Sequence, residues 1–425
     1  MKDIKQQEIE QRQLKGFCIA TIILFFMTAF CLSSPVELLK GMKTIIVSRD
    51  ALITDYFKLA SHGTAFFNSA LMMTLVMSMI HLLKIPFSGL TLAALFINGG
   101  FALFGKNPVS VLPILLGTCL YAWQQGVSVK RYIYTGLFGT CLAPLVTEMY
   151  YILPFSPTMN LIGALFIGTM IGFILPGLAV NTASMHMGYN LFNVGFASGI
   201  IAFIIVSILR GFGFEGESVL IWYEGRPIWL VGLLYGYFIL TFLYGLWINK
   251  GQLQPIRKIF HHPGRAVADF ILMDGAGITL INMALTGCFC VTYILLIGGD
   301  LSGPMVGAIL TLFGFSAFGV HLKNYIPCLL GVYIGTCFKI YTPTMPSIQL
   351  AAMFCAGLAP IAGQFGIWAG ILAGLLHTSV VTQTGQMYSG LNLYNNGFST
   401  GFVAIFMIPL LESFMKKFKK RNFGS

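Results

Sequence analysis

Apolar residues run along this chain in blocks long enough to cross a bilayer, separated by short polar or charged links. The first block, 16–33, follows a polar stretch of mixed charge and, with its flanks, reaches across about 30 Å of hydrocarbon at helical rise. It is longer than the apolar core of a secretion signal and the chain stays apolar beyond it, so it is expected to persist as a first span. An amphipathic connection over 35–62 leads into runs near 64–83, 86–104, 108–124, 131–152, 158–180 and 196–210. The stretch 211–226, with Glu215, Glu217 and Glu224, reads as an exterior loop; a span at 228–248 and a basic loop ending at Arg265 follow. Runs near 278–297, 302–319, 324–340, 348–363, 366–381 and 398–414 complete the chain. The pattern predicts an all-α integral membrane protein with about 12–14 transmembrane helices.

The second set of runs repeats the first. Residues 63–117 align without a gap on 277–331, and 17 of these 55 positions are identical, Asn68/Asn282, Ser88-Gly89/Ser302-Gly303 and Pro113/Pro327 among them. Apolar composition alone does not bring Asn, Pro and Ser-Gly into one register. Further on, Gly188-Tyr-Asn-Leu-Phe-Asn-Val-Gly-Phe-Ala-Ser-Gly199 returns as Gly390-Leu-Asn-Leu-Tyr-Asn-Asn-Gly-Phe-Ser-Thr-Gly401. The units read as 1–48 (tail, first span and connection), 49–211 (first repeat), 212–262 (loop, linking span, basic loop), 263–416 (second repeat) and 417–425 (basic tail). Seven spans per period turn the second copy upside down, giving two inverted-topology repeats with a broken or re-entrant segment in each. Lys84, Lys130-Arg131, the 250–265 loop and the tail then share one face, which the positive-inside rule makes cytoplasmic together with both termini. The location expected is the cell membrane.

Composition sharpens this picture in two ways. The chain is 56% hydrophobic and 9% charged, against about 25% charged residues in soluble proteins. The net charge of +11 gathers in the loops just named, so it marks topology and contact with membrane lipids rather than nucleic acid. The nine cysteines lie in apolar runs with no CxxC pair, which argues against a zinc site or a disulfide framework, and no cofactor is expected.

Helix-breaking stretches at membrane depth are tolerated where they are buried in protein or line a wet cavity, and two of them at equivalent places point to a transport site. Asn190, Asn193, Asn392 and Asn395 offer amide donors and acceptors to a polar solute or ion, while capping of half-helices is the plainer reading. Thr182, His186, Gln383 and Gln386 add polarity just before each stretch. Asn68 and Asn282 fit either a site or interhelical glue. Glu148, whose repeat mate is Gln364, and Asp274 are the carboxylates expected to serve proton or ion coupling, with an aromatic belt near Tyr150 and Tyr151 as the rival setting for Glu148. Asp55 and Asp269 correspond across the halves at the interface. Gly168-x3-Gly172 and Gly370-x3-Gly374 read as close helix packing between the repeats. Two further matches carry nothing: Gly100-x4-Gly105-Lys106-Asn107 lacks the P-loop hydroxyl, and Gly211-x-Gly213-x-x-Gly216 lies in the acidic loop.

With its duplicated Asn-Leu-aromatic-Asn-x-Gly-Phe segments, the sequence resembles a duplicated prokaryotic membrane family of unassigned function (domain of unknown function 1576) along nearly its whole length. The resemblance implies an integral membrane protein and supplies no substrate. A looser likeness is to the urea transporters, whose Asn-Pro-Leu-Ser-Gly signature is matched only by Pro86-Phe87-Ser88-Gly89 and Asp300-Leu301-Ser302-Gly303. The expected function is secondary transport of a small polar or anionic solute, coupled to an ion or proton, by rocking of the two repeats. A passive channel for a small neutral solute is the alternative. An intramembrane lipid enzyme needs a nucleophile–base pair that the sequence lacks, so no enzyme is expected. The partners are the solute or ion and lipid, and a homo-oligomer is compatible.

Overall fold

The computed structural model describes residues 4–50, 53–214, 220–338 and 340–423, nearly all of them helical. Glu215 and Glu217 of the acidic loop, and the side chains of the basic tail from Lys416 on, lie outside the described residues. Among those described, eight helices are long and apolar enough to cross a membrane, and the shorter apolar helices Gly89–Phe101, Pro108–Gln124 and Gly303–Phe315 accompany them. The chain is thus a multi-pass membrane protein by the length and composition of its helices. The short helices have local causes. Ser88 and Ser302 accept from backbone N–H groups three residues on and start their helices, while Asn107 caps a helix that opens on Pro108. The helix Ile367–Met387 falls outside the eight; its last two turns carry Thr382, Gln383, Thr384 and Gln386.

The duplication is visible atom by atom. Left-handed backbone recurs at matched positions, Lys84 and Gly298, Gly105 and Gly319, Met187 and Ser389, Gly188 and Gly390. Asp55 and Asp269 each cap a short helix of their own half and also hold a helix of the other. Asp269 accepts from Gly89 N at 2.9 and 2.8 Å, and Asp55 accepts from Gly303 N at 3.1 Å through both oxygens. A carboxylate at a helix N-terminus is favoured by the exposed N–H groups and by the helix dipole.

This exchange fixes how the matched helices Gly89–Phe101 and Gly303–Phe315 lie. A Cβ on Gly100 would stand 2.5 Å from Gly307 O, and one on Gly307 would stand 2.4 Å from Gly100 O. At the other end of the crossing Gly314 meets the backbone of Ala93. Contacts that advance on one helix as they recede on the other define an antiparallel pair. Only glycine lets the backbones approach this closely. The two short helices, buried along their whole length, form the centre of the protein.

The Gly-x3-Gly motifs do pack helices closely, but inside each half rather than between halves. Gly172 faces Ile114 O and Gly374 faces Cys328 O, each at 1.9 Å from an added Cβ. The first helix, Ile4–Leu32, and the linking helix, Ile228–Ile248, meet through Thr21 Oγ1 and Tyr237 OH at 2.8 Å. Each packs on the first helix of its repeat, so they hold corresponding places.

Candidate functional site

Each asparagine stretch is the joint between two long helices, Pro157–Met185 to Asn193–Gly211 and Ile367–Met387 to Asn395–Phe423. The reversal uses left-handed backbone at Met187-Gly188 and Ser389-Gly390. Asn193 closes the first joint: it accepts from Thr182 and from His186 Nε2, both at 2.8 Å, and donates to Ala179 O at 2.8 Å. Asn395 does the same in the second, accepting from Thr384 at 2.7 Å and from Tyr388 OH and donating to Val381 O. The amide N–H of each thereby adds a bond to a carbonyl inside the last two turns of the helix before the joint and ties the start of the next helix to it. His186 and Tyr388 are repeat mates with one job. With Nε2 donating to Asn193 and Nδ1 accepting from Asn190 N, His186 is held as a neutral tautomer.

The outer asparagines work across the halves. Leu191 N donates to Gly357 O and Leu393 N to Cys141 O, both at 3.0 Å, a reciprocal exchange between each joint and the other repeat. Asn190 Oδ1 accepts from Phe192 N and from Thr400 Oγ1 of the second joint, both at 3.0 Å. Asn392 Oδ1 accepts from Tyr394 N in the matching way, but its Nδ2 is buried without a partner, as is Ser198 Oγ, the mate of Thr400. The joints touch where a Cβ on Gly397 would stand 2.9 Å from Gly195 Cα, and the mates Phe196 and Phe398 stack at 5.7 Å.

Six rings close the space between the joints and the short central helices. They are three mate pairs: Phe101/Phe315, Phe138/Phe354 and Phe192/Tyr394. Phe192 meets Phe315 at 4.8 Å and Tyr394 meets Phe101 at 5.4 Å; Phe138–Phe315 and Phe354–Phe101 are both 5.9 Å. Apolar rings at this spacing exclude water. Beside them a cavity of about 460 Å³ opens along the first joint, lined by His186, Asn190, Asn193, Tyr134, Phe192 and Tyr394 with Arg265 among its walls. Arg265 donates to Met187 O at 2.6 Å and lies 4.6 Å from the Tyr189 ring centre. The two joints differ in exposure. Met187, Gly188 and Asn193 are half-buried, whereas Ser389, Gly390 and Asn395 are buried. Arg210 closes over the second joint, donating to Gln386 O at 2.8 Å and to Ser389 Oγ at 3.2 Å.

The remaining expected residues scatter. Asn68 donates to Ala102 O and Lys106 O at 2.7 and 2.9 Å, and Asn282 to Ser316 O and Val320 O at 2.8 and 2.9 Å, so both brace the turn after a central helix. Gln383 and Gln386 are exposed on the far side of a helix whose Thr384 and Tyr388, four residues apart, face Asn395. Glu148 is buried and pairs with Arg49, whose side chain is 58% exposed, beside Tyr151. Asp274 ends a short helix and pairs with His262 at 3.0 Å. Next to the Glu148–Arg49 pair, Asp50 accepts from Tyr56 OH at 2.8 Å; burial pushes its carboxyl up to about 7 against that hydrogen bond. Among the described residues no three His, Cys, Asp or Glu side chains converge on one point.

Lys106 is a buried group the sequence reading passed over. It is 1% exposed, and its Nζ donates to Asn98 Oδ1 at 2.8 Å and Thr140 Oγ1 at 2.9 Å, 5.5 Å from the Phe101 ring centre. One signal was in the sequence: Lys106 stands where its repeat mate is Val320.

No curated protein and no solved structure matches the chain, so the looser likeness to urea transporters finds no support there. The model of a family described as protein of unknown function (DUF1576) matches twice, over residues 34–211 and 248–413, one copy in each half, and the chain belongs to that family.

Proposed function

We propose that the protein is a secondary transporter of a small polar or anionic solute, working by rocking of two inverted repeats about the paired asparagine joints. The observation that carries this reading is the one-sided cavity: the first joint opens onto it while its repeat mate is buried under Arg210. Two copies of one structure in different states of opening are what alternating access requires of inverted repeats. The antiparallel central helices support the inversion. Asp55, at one end of the crossing, accepts from Tyr223 N beside the acidic loop, and Asp269, at the other, closely follows the basic loop. On this reading the open cavity faces the cytoplasm, with Arg265 at its mouth, and both termini are cytoplasmic. The asparagines hold the joints in shape, and the solute path runs past them to the aromatic rings.

Sided labelling tests it. In a background without native cysteines, Met187→Cys is expected to react with a membrane-impermeant maleimide from the cytoplasmic face. Ser389→Cys, its mate, is expected to react only from the opposite face, and faster when transport is driven. Reaction of both from one face, or a Ser389→Cys that stays inert under every gradient, would overturn the reading.

A further inference from the structure

We infer that Lys106 is the centre of an occluded site for a small anion, which names the solute class within the transport reading above and rests on it. The acceptors of the Lys106 ammonium, Asn98 Oδ1 and Thr140 Oγ1, are both neutral. Glu148 and Asp274 pair elsewhere, with Arg49 and His262, and Lys106 makes no ion pair among the described residues. A buried cation without an opposite charge is costly, and in a membrane protein such a group marks a solute or ion path by default.

The fold does not need the charge. The repeat mates of Lys106, Asn98 and Thr140 are Val320, Leu312 and Ala356, and the second copy builds the same turn around them. The polar cluster is therefore an addition to one half only. What surrounds it is also donor-rich. Cys141 follows Thr140, and its thiol lies by both Lys106 and Ser198, while its carbonyl is bonded by Leu393 N at 3.0 Å. Among the buried groups here that make no hydrogen bond are the donors Ser198 Oγ, Asn392 Nδ2 and Tyr394 OH and the acceptor Asn68 Oδ1, whose amide bonds the Lys106 carbonyl. An ammonium and an amide N–H can only donate, and hydroxyls can turn to donate, so the set complements an acceptor of negative charge.

Position and size narrow the class. Phe192, Phe315, Phe138 and Tyr394 line the open cavity, and Tyr394 meets Phe101, over which Lys106 lies. Lys106 thus stands behind the aromatic floor of a cavity whose wall carries Arg265, a cation that would raise the local concentration of anions. Every residue named around Lys106 is buried, and Leu393 closes against Gly105, so the class inferred is an inorganic or one- to two-carbon anion rather than a larger metabolite.

The test uses the full chain, purified and in proteoliposomes, with chloride, nitrate, formate and acetate as anion probes, urea as neutral probe and methylammonium as cation probe. At least one anion is expected to raise the thermal unfolding midpoint and to be taken up. Lys106→Met, or Lys106→Val carrying the mate's residue, should weaken that binding at least about tenfold, since hydrogen bonds to charged groups are worth that much. Tyr394→Phe, which carries the mate of Tyr394, removes one hydroxyl with little threat to folding and should raise the half-saturating concentration several-fold. No shift with any of the four anions, or equal shifts in the wild type and both Lys106 variants, overturns the anion site. Binding lost in Lys106→Met without any uptake in the wild type leaves the site standing and removes the transport reading. Uptake of urea or methylammonium indifferent to anions does the reverse.

Discussion

Replacing Asp269 strikes the cap by which one half holds the other. Its carboxylate accepts from the buried Gly89 N at 2.9 and 2.8 Å across the interface, and from Ile271 N at 3.1 Å and Leu272 N at 3.2 Å in its own half. Asp269→Ala leaves at least the Gly89 and Ile271 N–H groups buried and unpaired, at about 1–3 kcal/mol each, and removes a charge favourable to a helix N-terminus. The expected loss is about 3–6 kcal/mol, a large part of a typical folding free energy. Asp269→Asn keeps one acceptor and should lose about 1–2 kcal/mol. Asp55→Asn should cost a similar amount, because it leaves Gly303 N with the same deficit. The two carboxylates stand at opposite ends of a central helix, about 20 Å apart at helical rise, so the double Asn variant should show the sum within about 0.5 kcal/mol. Reversible unfolding in mixed micelles by a denaturing detergent reads each value. A loss below about 1 kcal/mol for Asp269→Ala would refute the cross-capping, and strong non-additivity of the Asn pair would refute the separation of the caps.

Gly100→Ala and Gly307→Ala should each destabilise by about 1–3 kcal/mol in the same assay, because the new methyl meets backbone 2.5 and 2.4 Å away that cannot rotate aside. Asp50 titrates at about 7 in the fold against 3.8 as its ordinary value, so the folded state binds the extra proton between those pH values. The contribution of Asp50 should therefore be full below pH 4 and fall as pH rises to 7 by up to about 4 kcal/mol, so Asp50→Asn should lose that part of the pH dependence; parallel profiles for the two proteins would contradict it. Glu148→Gln replaces a buried charge-assisted pair to Arg49 by a neutral bond, should cost about 1–3 kcal/mol, and should leave concentrative uptake intact. A Glu148→Gln protein that binds but no longer concentrates its solute would return Glu148 to the coupling step.

The helical class, the duplication and the breaks at the asparagine stretches were legible because glycine and asparagine in matched register are rare in apolar sequence. Asn193 and Asn395 illustrate what register alone leaves open: the same residues serve tying of helices and lining, and Asn193 does both, bonding Ala179 O and facing the cavity. Gln383 and Gln386 show the cost of reading polarity without helical phase, since they flank Thr384 but face outward. Lys106 was missed because it entered only within the discarded P-loop match; the turn it sits in folds inward, where Asn68 donates to its carbonyl. The cross-caps of Asp55 and Asp269 were half legible: their correspondence is in the sequence, but the swap between halves requires the antiparallel crossing of the short helices.

Opposite orientation of the two repeats is tested most directly at the matched loops that follow helices Pro108–Gln124 and Leu322–Phe338, where Gln125 and Thr342 are exposed. In a cysteine-free background, Thr342→Cys should react with an impermeant maleimide on intact cells, and Gln125→Cys only after the cytoplasmic face is opened. Labelling of both from the same face would contradict inverted repeats, and the rocking mechanism with them.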